Sequence, residues 1–167
     1  DMEDLGGRPF IGPAGQMFDT IAARAGLQRE AAYLTNAVKH FKFAPRGKQR
    51  LHQRPNGSEI EHCRWWLDAE IAQLKPKLIV AMGATAAQSL TGNGAAILSR
   101  RGQIEKSRSG VPVLITLHPS YLLRLTDAVA QERATTQFQA DLAQAVAITA
   151  SGPTASSGGA NIAAPPS

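Results

Sequence analysis

Two short, strongly apolar runs, each followed at once by a turn and a helical pattern, most constrain the fold of this chain. The first lies within residues 77–82 and leads through Gly83 into a helix predicted for residues 84–90. The second covers residues 111–117 and ends at His118-Pro119-Ser120. Short apolar runs of this kind are typical of buried parallel strands. Strands that alternate with helices predict an α/β domain.

The rest of the chain fits the same plan. Apolar residues at helical spacing predict helices over residues 13–27 and about 130–147, and a third that begins at Ser58 and is ended by Pro76. Ser58 and Glu61 match the Ser-x-x-Glu capping box. Short strands are expected at residues 33–36 and 101–105. We therefore predict a three-layer α/β/α sandwich with a central, largely parallel sheet.

The candidate site residues would gather at the carboxyl edge of this sheet. Asn36 ends the first predicted strand, Gly83 ends the next, and His118 ends the last. Ligands of open α/β sheets bind outside the carboxyl ends of the strands. The sequence therefore predicts a binding site at this edge.

A basic segment, residues 36–54, begins at the same edge. It has six Lys or Arg and no acid, and the whole chain has a formal charge of +5 and a pI near 9.8. Such a segment attracts a phosphate backbone. It also contains His40 and His52. Neighbouring positive charge disfavours a protonated imidazole, so each histidine is a candidate nucleophile or metal ligand.

Length and composition limit the domain organisation and the cellular location that the sequence allows. Residues 1–149 are predicted to form one domain, and residues 150–167, built of Ser, Gly, Ala and Pro with one Thr, one Asn and one Ile, a disordered tail. The chain opens at Asp1 without a methionine or a preceding strand, so we expect an N-terminal segment and first strand to be missing. The single cysteine, Cys63, excludes an internal disulfide and favours a cytoplasmic location. No apolar run approaches the length of a membrane span.

Taken singly, the candidate residues are ambiguous. The glycine-dense loop at residues 6–15 could admit an anion or a base ring, or it could simply connect two elements. Asn36 could pair with a base edge or cap a turn, and His118 could face a ligand or satisfy a loop carbonyl. Cys63, on an apolar helix face, is more typical of a core residue.

Together, the ordered motifs are similar to those of a known family. They are Gly7-x-Pro9-Phe10-x-Gly12-x-Ala14-Gly15, Tyr33-Leu34-Thr35-Asn36-x-Val38-Lys39, Glu59-x-x-x-Cys63, Lys75-Pro76-Lys77-x-Ile79-Val80-x-x-Gly83, Arg101-Gly102 and His118-Pro119-Ser120-Tyr121-Leu122-Leu123. They resemble the uracil-DNA glycosylase superfamily, in particular its iron–sulfur group, family four.

Two departures from family four resemble its UdgX-like branch, whose members bind uracil-containing DNA covalently. Val38-Lys39-His40 stands where family four usually has Val-Lys-Cys. The segment Gly47-Lys48-Gln49-Arg50-Leu51-His52 is similar to the branch's Gly-Lys-Arg-Arg-Ile-His loop.

The resemblance implies roles for several residues. Phe10 would stack on a flipped uracil and Asn36 would bind its polar edge. His118 would stabilise the negative charge that develops on uracil O2, and Asp1 the positive charge at C1′. The residues expected to contact DNA are Lys39, Lys48, Arg50 and Ser120.

The resemblance also implies a cofactor and an unusual chemical step. A 4Fe-4S cluster would take His40 and Cys63 as its third and fourth ligands, with two cysteines expected upstream of Asp1. His52, as a neutral imidazole, would attack C1′ in place of water and leave a covalent protein–DNA adduct.

Three functions therefore compete: covalent capture of uracil-containing DNA, a conventional turnover glycosylase that releases an abasic site, and a non-catalytic nucleic-acid-binding module. The expected partner is uracil-containing, single-stranded DNA, bound by a monomer.

Overall fold

The computed structural model describes residues 10–38, 43–46, 49–52 and 55–151, with the backbone alone for 43–46 and 49–52. In chain order, the helices are α1 (Pro13–Arg24), α2 (Gly57–Leu74), α3 (Ala84–Thr91), α4 (Ile97–Arg100), α5 (Pro119–Arg124) and α6 (Ala128–Ala150), with a 3-10 turn at Arg29–Ala31. The strands are β1 (Phe43–Arg46), β2 (Gln49–His52), β3 (Ile79–Met82), β4 (Ile104–Lys106) and β5 (Pro112–Thr116).

The strands form two sheets. β1 and β2 make an antiparallel hairpin in which Phe43 lies opposite His52. The central sheet has the order β3-β5-β4; β3 and β5 are parallel, with Met82 opposite Thr116, whereas β4 is antiparallel to β5. The two apolar runs of the sequence are thus neighbouring parallel strands, and their carboxyl ends lie side by side.

Helices cover both faces of the central sheet, which confirms the predicted α/β sandwich. On one face, cluster 1 packs α1, α5 and α6 together through Phe18, Leu122 and Phe138. On the other face, cluster 2 packs α2 and α3 against Val113 and Ile115 of β5. Residues that alternate along β3 divide between the clusters, since Val80 packs against cluster 1 and Ala81 belongs to cluster 2.

The helix boundaries follow local chemistry, with one change of register. α2 is capped by Asn56 and not by Ser58: the Asn56 side chain accepts from the Glu59 N–H at 2.9 Å, and the Glu59 carboxylate accepts from the Asn56 N–H at 2.8 Å. Both sites match the capping pattern, and Asn56 forms the reciprocal pair because the helix begins at Gly57. α2 ends at Leu74, two residues before Pro76, where the end of the helix was predicted, and Lys75 has the left-handed conformation.

The expected strand at residues 33–36 is not formed; the structure assigns no regular element there. Leu34 packs against cluster 1 and Ala37 against cluster 2, so the apolar pattern that predicted a strand is satisfied by packing at the sheet edge. The short strand expected at 101–105 is present as β4, slightly later in the chain. Among the helices of the described ranges, none combines the length and apolar character needed to cross a bilayer.

Candidate functional site

His118 lies where β5 gives way to α5, and its own side chain caps that helix. Nδ1 accepts a hydrogen bond from the Ser120 N–H at 3.0 Å and lies 2.7 Å from Ser120 Oγ. Arg124 Nη1 donates to the same Oγ at 3.2 Å, which leaves the hydroxyl hydrogen for Nδ1. A backbone N–H can only donate, so Nδ1 must be the acceptor and the ring proton of the neutral imidazole is on Nε2. His118 is therefore oriented as a donor through Nε2–H.

Phe10 stands beside this imidazole. The two rings are roughly parallel, with centroids 6.1 Å apart and an interplanar angle of 28°. Phe10 also packs on Phe18 at 5.6 Å and is only 6 % exposed. The ring is thus a wall of the site rather than an open stacking platform.

Two glycines make the pairing of Phe10 and His118 possible. A Cβ at Gly15 would lie 1.8 Å from the carbonyl oxygen of Phe10, so only glycine lets the Phe10 backbone rest against α1. A Cβ at Gly83 would lie 2.9 Å from Cβ of His118. Phe10 itself has a φ of +60°, a left-handed conformation that costs about 1–2 kcal/mol for a residue other than glycine. Within the described part of the glycine-dense loop, Gly15 therefore has a packing function at the site.

Asn36 is half-buried on the segment that packs against both cores. The preceding residue, Thr35, donates to Glu70 of α2 at 3.4 Å, which ties the segment to that helix. Asn36 is therefore carried by a segment that α2 and the two cores hold in place.

Beyond residues 36–38, the structure describes the basic segment through the backbone of its hairpin. Arg50 lies opposite Pro45, and His52 lies opposite Phe43 at the end of β2. Asp1, Lys39, His40 and Lys48 lie outside the described residues. Pro55 follows His52 by three residues, so chain length alone keeps the two Cα atoms within about 11 Å of each other.

A cleft of about 650 Å³ lies between the start of α2, the start of α3 and the loop after α3. Pro55 and Gly57 line it from the start of α2, Ala84 and Gln88 from α3, and residues 94–96 from the following loop. The cleft is therefore lined by residues that lie close in the sequence to two other parts of the site. Pro55 is three residues after His52 at the end of the hairpin, and Ala84 follows Gly83, which packs on His118.

An ion pair holds the loop that lines the cleft. Arg100 makes two bonds of 2.7 Å with the Glu105 carboxylate and donates to the carbonyls of Asn93 at 2.9 Å and Ala95 at 2.7 Å. Hydrogen bonding to Arg100 lowers the pKa of Glu105 against the opposing effect of burial, and the same bond raises the pKa of Arg100. The pair stays charged and the loop stays in place.

Cys63 is 7 % exposed on the inner face of α2. The described part of the chain contains no group of three or more His, Cys, Asp or Glu side chains that could hold a metal. His62, the adjacent candidate, bonds its own helix through Nδ1 to the Ser58 carbonyl at 2.8 Å. One thiol does not meet the four-ligand demand of an iron–sulfur cluster, so the described donors alone do not fit that group.

Sequence reasoning missed a buried carboxylate beneath the site. Asp141 of α6 is 2 % exposed and binds both Arg101 and Thr116. A sequence signal was present, since Asp141 shares a helical face with the apolar Phe138, Leu142 and Ala145. An acid on the apolar face of a helix indicates a buried partner.

Comparison with known proteins identifies the family to which the chain is similar. The sequence profile described as the Uracil DNA glycosylase superfamily matches residues 1–143. The chain is 36% identical over 123 residues to the type-4 uracil-DNA glycosylase of Thermotoga maritima, covering 73% of this chain and 60% of that protein. It is also 36% identical over 129 residues to the type-4 uracil-DNA glycosylase of Pyrobaculum aerophilum, covering 73% of this chain and 62% of that protein. The chain thus spans about three fifths of the length of these relatives.

Proposed function

Because the chain belongs to the uracil-DNA glycosylase superfamily, we propose that the protein of which it is part excises uracil from DNA. The observation that carries this proposal is the pairing of Phe10 with a His118 whose Nδ1 is an acceptor. Cleavage of the N-glycosidic bond leaves its electron pair on uracil, and negative charge develops at O2. An Nε2–H donor aimed at that oxygen stabilises the leaving base.

We assign the other predicted residues to the same reaction. Phe10 was predicted to stack on the flipped uracil; because the residue is 6 % exposed, we assign it the wall of the base pocket. Asn36 binds the polar edge of uracil, and Asp1 stabilises charge at C1′. Lys39, Lys48 and Arg50 bind phosphates. Ser120 was also predicted to bind phosphate; in the structure its N–H and hydroxyl bond His118, so we assign it first the task of fixing that imidazole.

The excision test is direct. A uracil-containing, single-stranded oligonucleotide is incubated with the complete protein and then treated with hot alkali, which cleaves abasic sites. His118→Ala should lower the excision rate by about 100-fold, by analogy with loss of an oxyanion donor. His62→Ala is the matched control, because His62 is an exposed helix residue bonded only to its own turn. Equal rates for the two variants would contradict the role of His118.

We also propose that His52 captures the sugar. In that step the C1′–N1 bond breaks with its electrons going to uracil, and a lone pair of the His52 imidazole forms the new bond to C1′. The alkylated ring then loses its remaining N–H proton to water, and uracil is protonated by solvent. The UdgX-like motif and the short chain path from His52 to Pro55 at the cleft support this proposal.

Covalent capture predicts a protein–DNA band that survives denaturing electrophoresis and is absent from His52→Ala. An imidazolium has no free lone pair, so adduct formation should fall when the pH is lowered enough to protonate His52. Free abasic product with repeated turnovers and no adduct would instead favour a conventional glycosylase. Salt-dependent binding that is indifferent to uracil would favour a binding module.

The iron–sulfur cluster stays a proposal that rests on resemblance. Cys63 and His40 would be two of its ligands, and when bound the cluster would supply a rigid anchor for the basic segment rather than redox chemistry. The mechanism above has no step that passes through it. A single-stranded substrate, a monomeric state and a cytoplasmic location likewise stay predictions.

A further inference from the structure

The buried acid Asp141 is the centre of a three-residue bridge. Arg101 holds its carboxylate by two bonds, Nη2 to Oδ1 at 2.5 Å and Nε to Oδ2 at 3.1 Å. Thr116 Oγ1 donates to Oδ2 at 2.6 Å. Thr116 is fully buried and the Asp141 side chain is 3 % exposed, so this bridge joins α6, β5 and the loop before β4 inside the protein.

The bridge leads to the site through Thr116. The Thr116 carbonyl accepts from the Gly83 N–H at 3.0 Å, which joins the ends of β5 and β3. Gly83 is the residue against which Cβ of His118 packs. Thr116 is also two residues before His118 in the chain. Its side chain is fixed by Asp141 and its backbone by Gly83, so it sets where β5 ends.

A second contact fixes the position of the Arg101 end of the bridge relative to the central sheet. The Gly102 N–H donates to the Ile115 carbonyl at 2.7 Å, which fixes the chain next to Arg101 on β5. Gly102 has a φ of +76°, and a Cβ there would lie 3.2 Å from Asp141 Oδ1. The chain at Arg101-Gly102 is therefore shaped to approach the carboxylate.

We propose that Thr116, Asp141 and Arg101 are positioning residues for His118: they hold the end of β5 so that the imidazole keeps its place over Gly83. This inference rests on the excision activity proposed above. None of the three side chains is placed in contact with DNA. A shift of about 1 Å in a reacting group can cost 100-fold in rate, so a small movement of β5 is enough to matter.

The test compares Thr116→Val with Thr116→Ser in the complete protein. Valine keeps the shape but removes the donated hydrogen bond, whereas serine keeps the hydroxyl. In reactions with the protein in excess over DNA, so that each molecule reacts once, Thr116→Val should lower kcat, the excision rate constant at saturation, by about 10-fold to 100-fold, with KM, the half-saturating protein concentration, changed by less than about threefold. Thr116→Ser should restore kcat to within about threefold of wild type. In nitrogen-15 NMR spectra, the His118 imidazole resonances should shift in the valine variant and not in the serine variant.

Asp19→Asn is the matched control, because Asp19 of α1 also accepts two bonds from an arginine, Arg29, at 2.5 and 2.6 Å, and has no role assigned at the site. It should lower stability and leave kcat within about twofold.

If Thr116→Val does not fold, Arg101→Lys takes its place, since it keeps the charge and loses the two-bond geometry. A folded Thr116→Val with wild-type kcat and unmoved imidazole resonances overturns the inference, as does an equal loss in both Thr116 variants. If the wild-type protein excises no uracil, the proposed function fails, while the imidazole resonances still decide whether the bridge positions His118.

Discussion

Gly83→Ala would put a methyl group into the contact between β3 and His118. The new Cβ would lie 2.9 Å from Cβ of His118, whereas carbon atoms in contact are normally about 3.5–4.0 Å apart. The obstacle is the base of a side chain that also caps α5, so it cannot rotate away. His118 must therefore move by about 0.6–1 Å. We expect the rate of uracil excision to fall by about 10-fold to 100-fold.

The variant also carries a backbone cost that has to be separated from this movement. Gly83 has a φ of +88° and a ψ of 178°, a region populated essentially by glycine alone, and alanine there costs about 1–3 kcal/mol. Gly26→Ala is the matched control. Gly26 has a φ of +81°, and a Cβ there meets nothing within 4 Å. Both variants should lose stability, but only Gly83→Ala should lose rate.

The assay is single-turnover excision from a uracil-containing oligonucleotide, measured well below the melting temperature of each variant. Thermal denaturation of the same samples gives the loss of stability. Excision by folded Gly83→Ala at the rate of Gly26→Ala would refute the reasoning, because it would mean that the position of His118 over Gly83 does not limit the reaction.

Two further predictions concern stability. Glu105→Gln should lower the free energy of unfolding by about 1 kcal/mol at neutral pH, because it breaks a two-bond pair with Arg100. That pair lowers the pKa of Glu105, so the wild-type protein loses the stability contributed by the ion pair as the pH falls through the lowered pKa. The free energies of unfolding from urea titrations should therefore converge for the two proteins below about pH 4. A constant difference down to acid pH would contradict this. Asn56→Ala should cost about 1 kcal/mol through loss of the α2 cap, whereas Ser58→Ala should cost less than about 0.5 kcal/mol in thermal denaturation; the reverse order would place the cap at Ser58.

The sequence predicted those elements whose pattern is strong and local. The apolar runs became β3 and β5, and the spacing of Phe18 and Ile21 correctly indicated α1. The Ser58 match predicted the wrong cap, because which of two adjacent matches is used depends on where the helix begins. Residues 33–36 have a strand-like composition, but pairing with a neighbouring strand is a property of the whole fold and not of four residues.

The site was predictable to a similar degree. Phe10 and His118 were expected at one site, and their rings lie side by side. What the sequence could not indicate was that Ser120 contacts the imidazole, because a phosphate ligand and a histidine partner require the same hydroxyl. Asp141 is 40 residues from Arg101, and such long-range pairing appears only once α6 is packed against β5.

The two cores differ in how far apart their residues lie in the chain, and this has a consequence for folding. Cluster 2 is drawn from one continuous stretch, residues 67–115. Cluster 1 must bring Phe10 and Phe18 to Phe138 and Leu142, more than a hundred residues away. Contacts between distant residues form late, because a long loop has to close first. Phe10 belongs to this late core, so the face of the sheet covered by α2 and α3 is expected to acquire protection from hydrogen exchange before Phe10 pairs with His118.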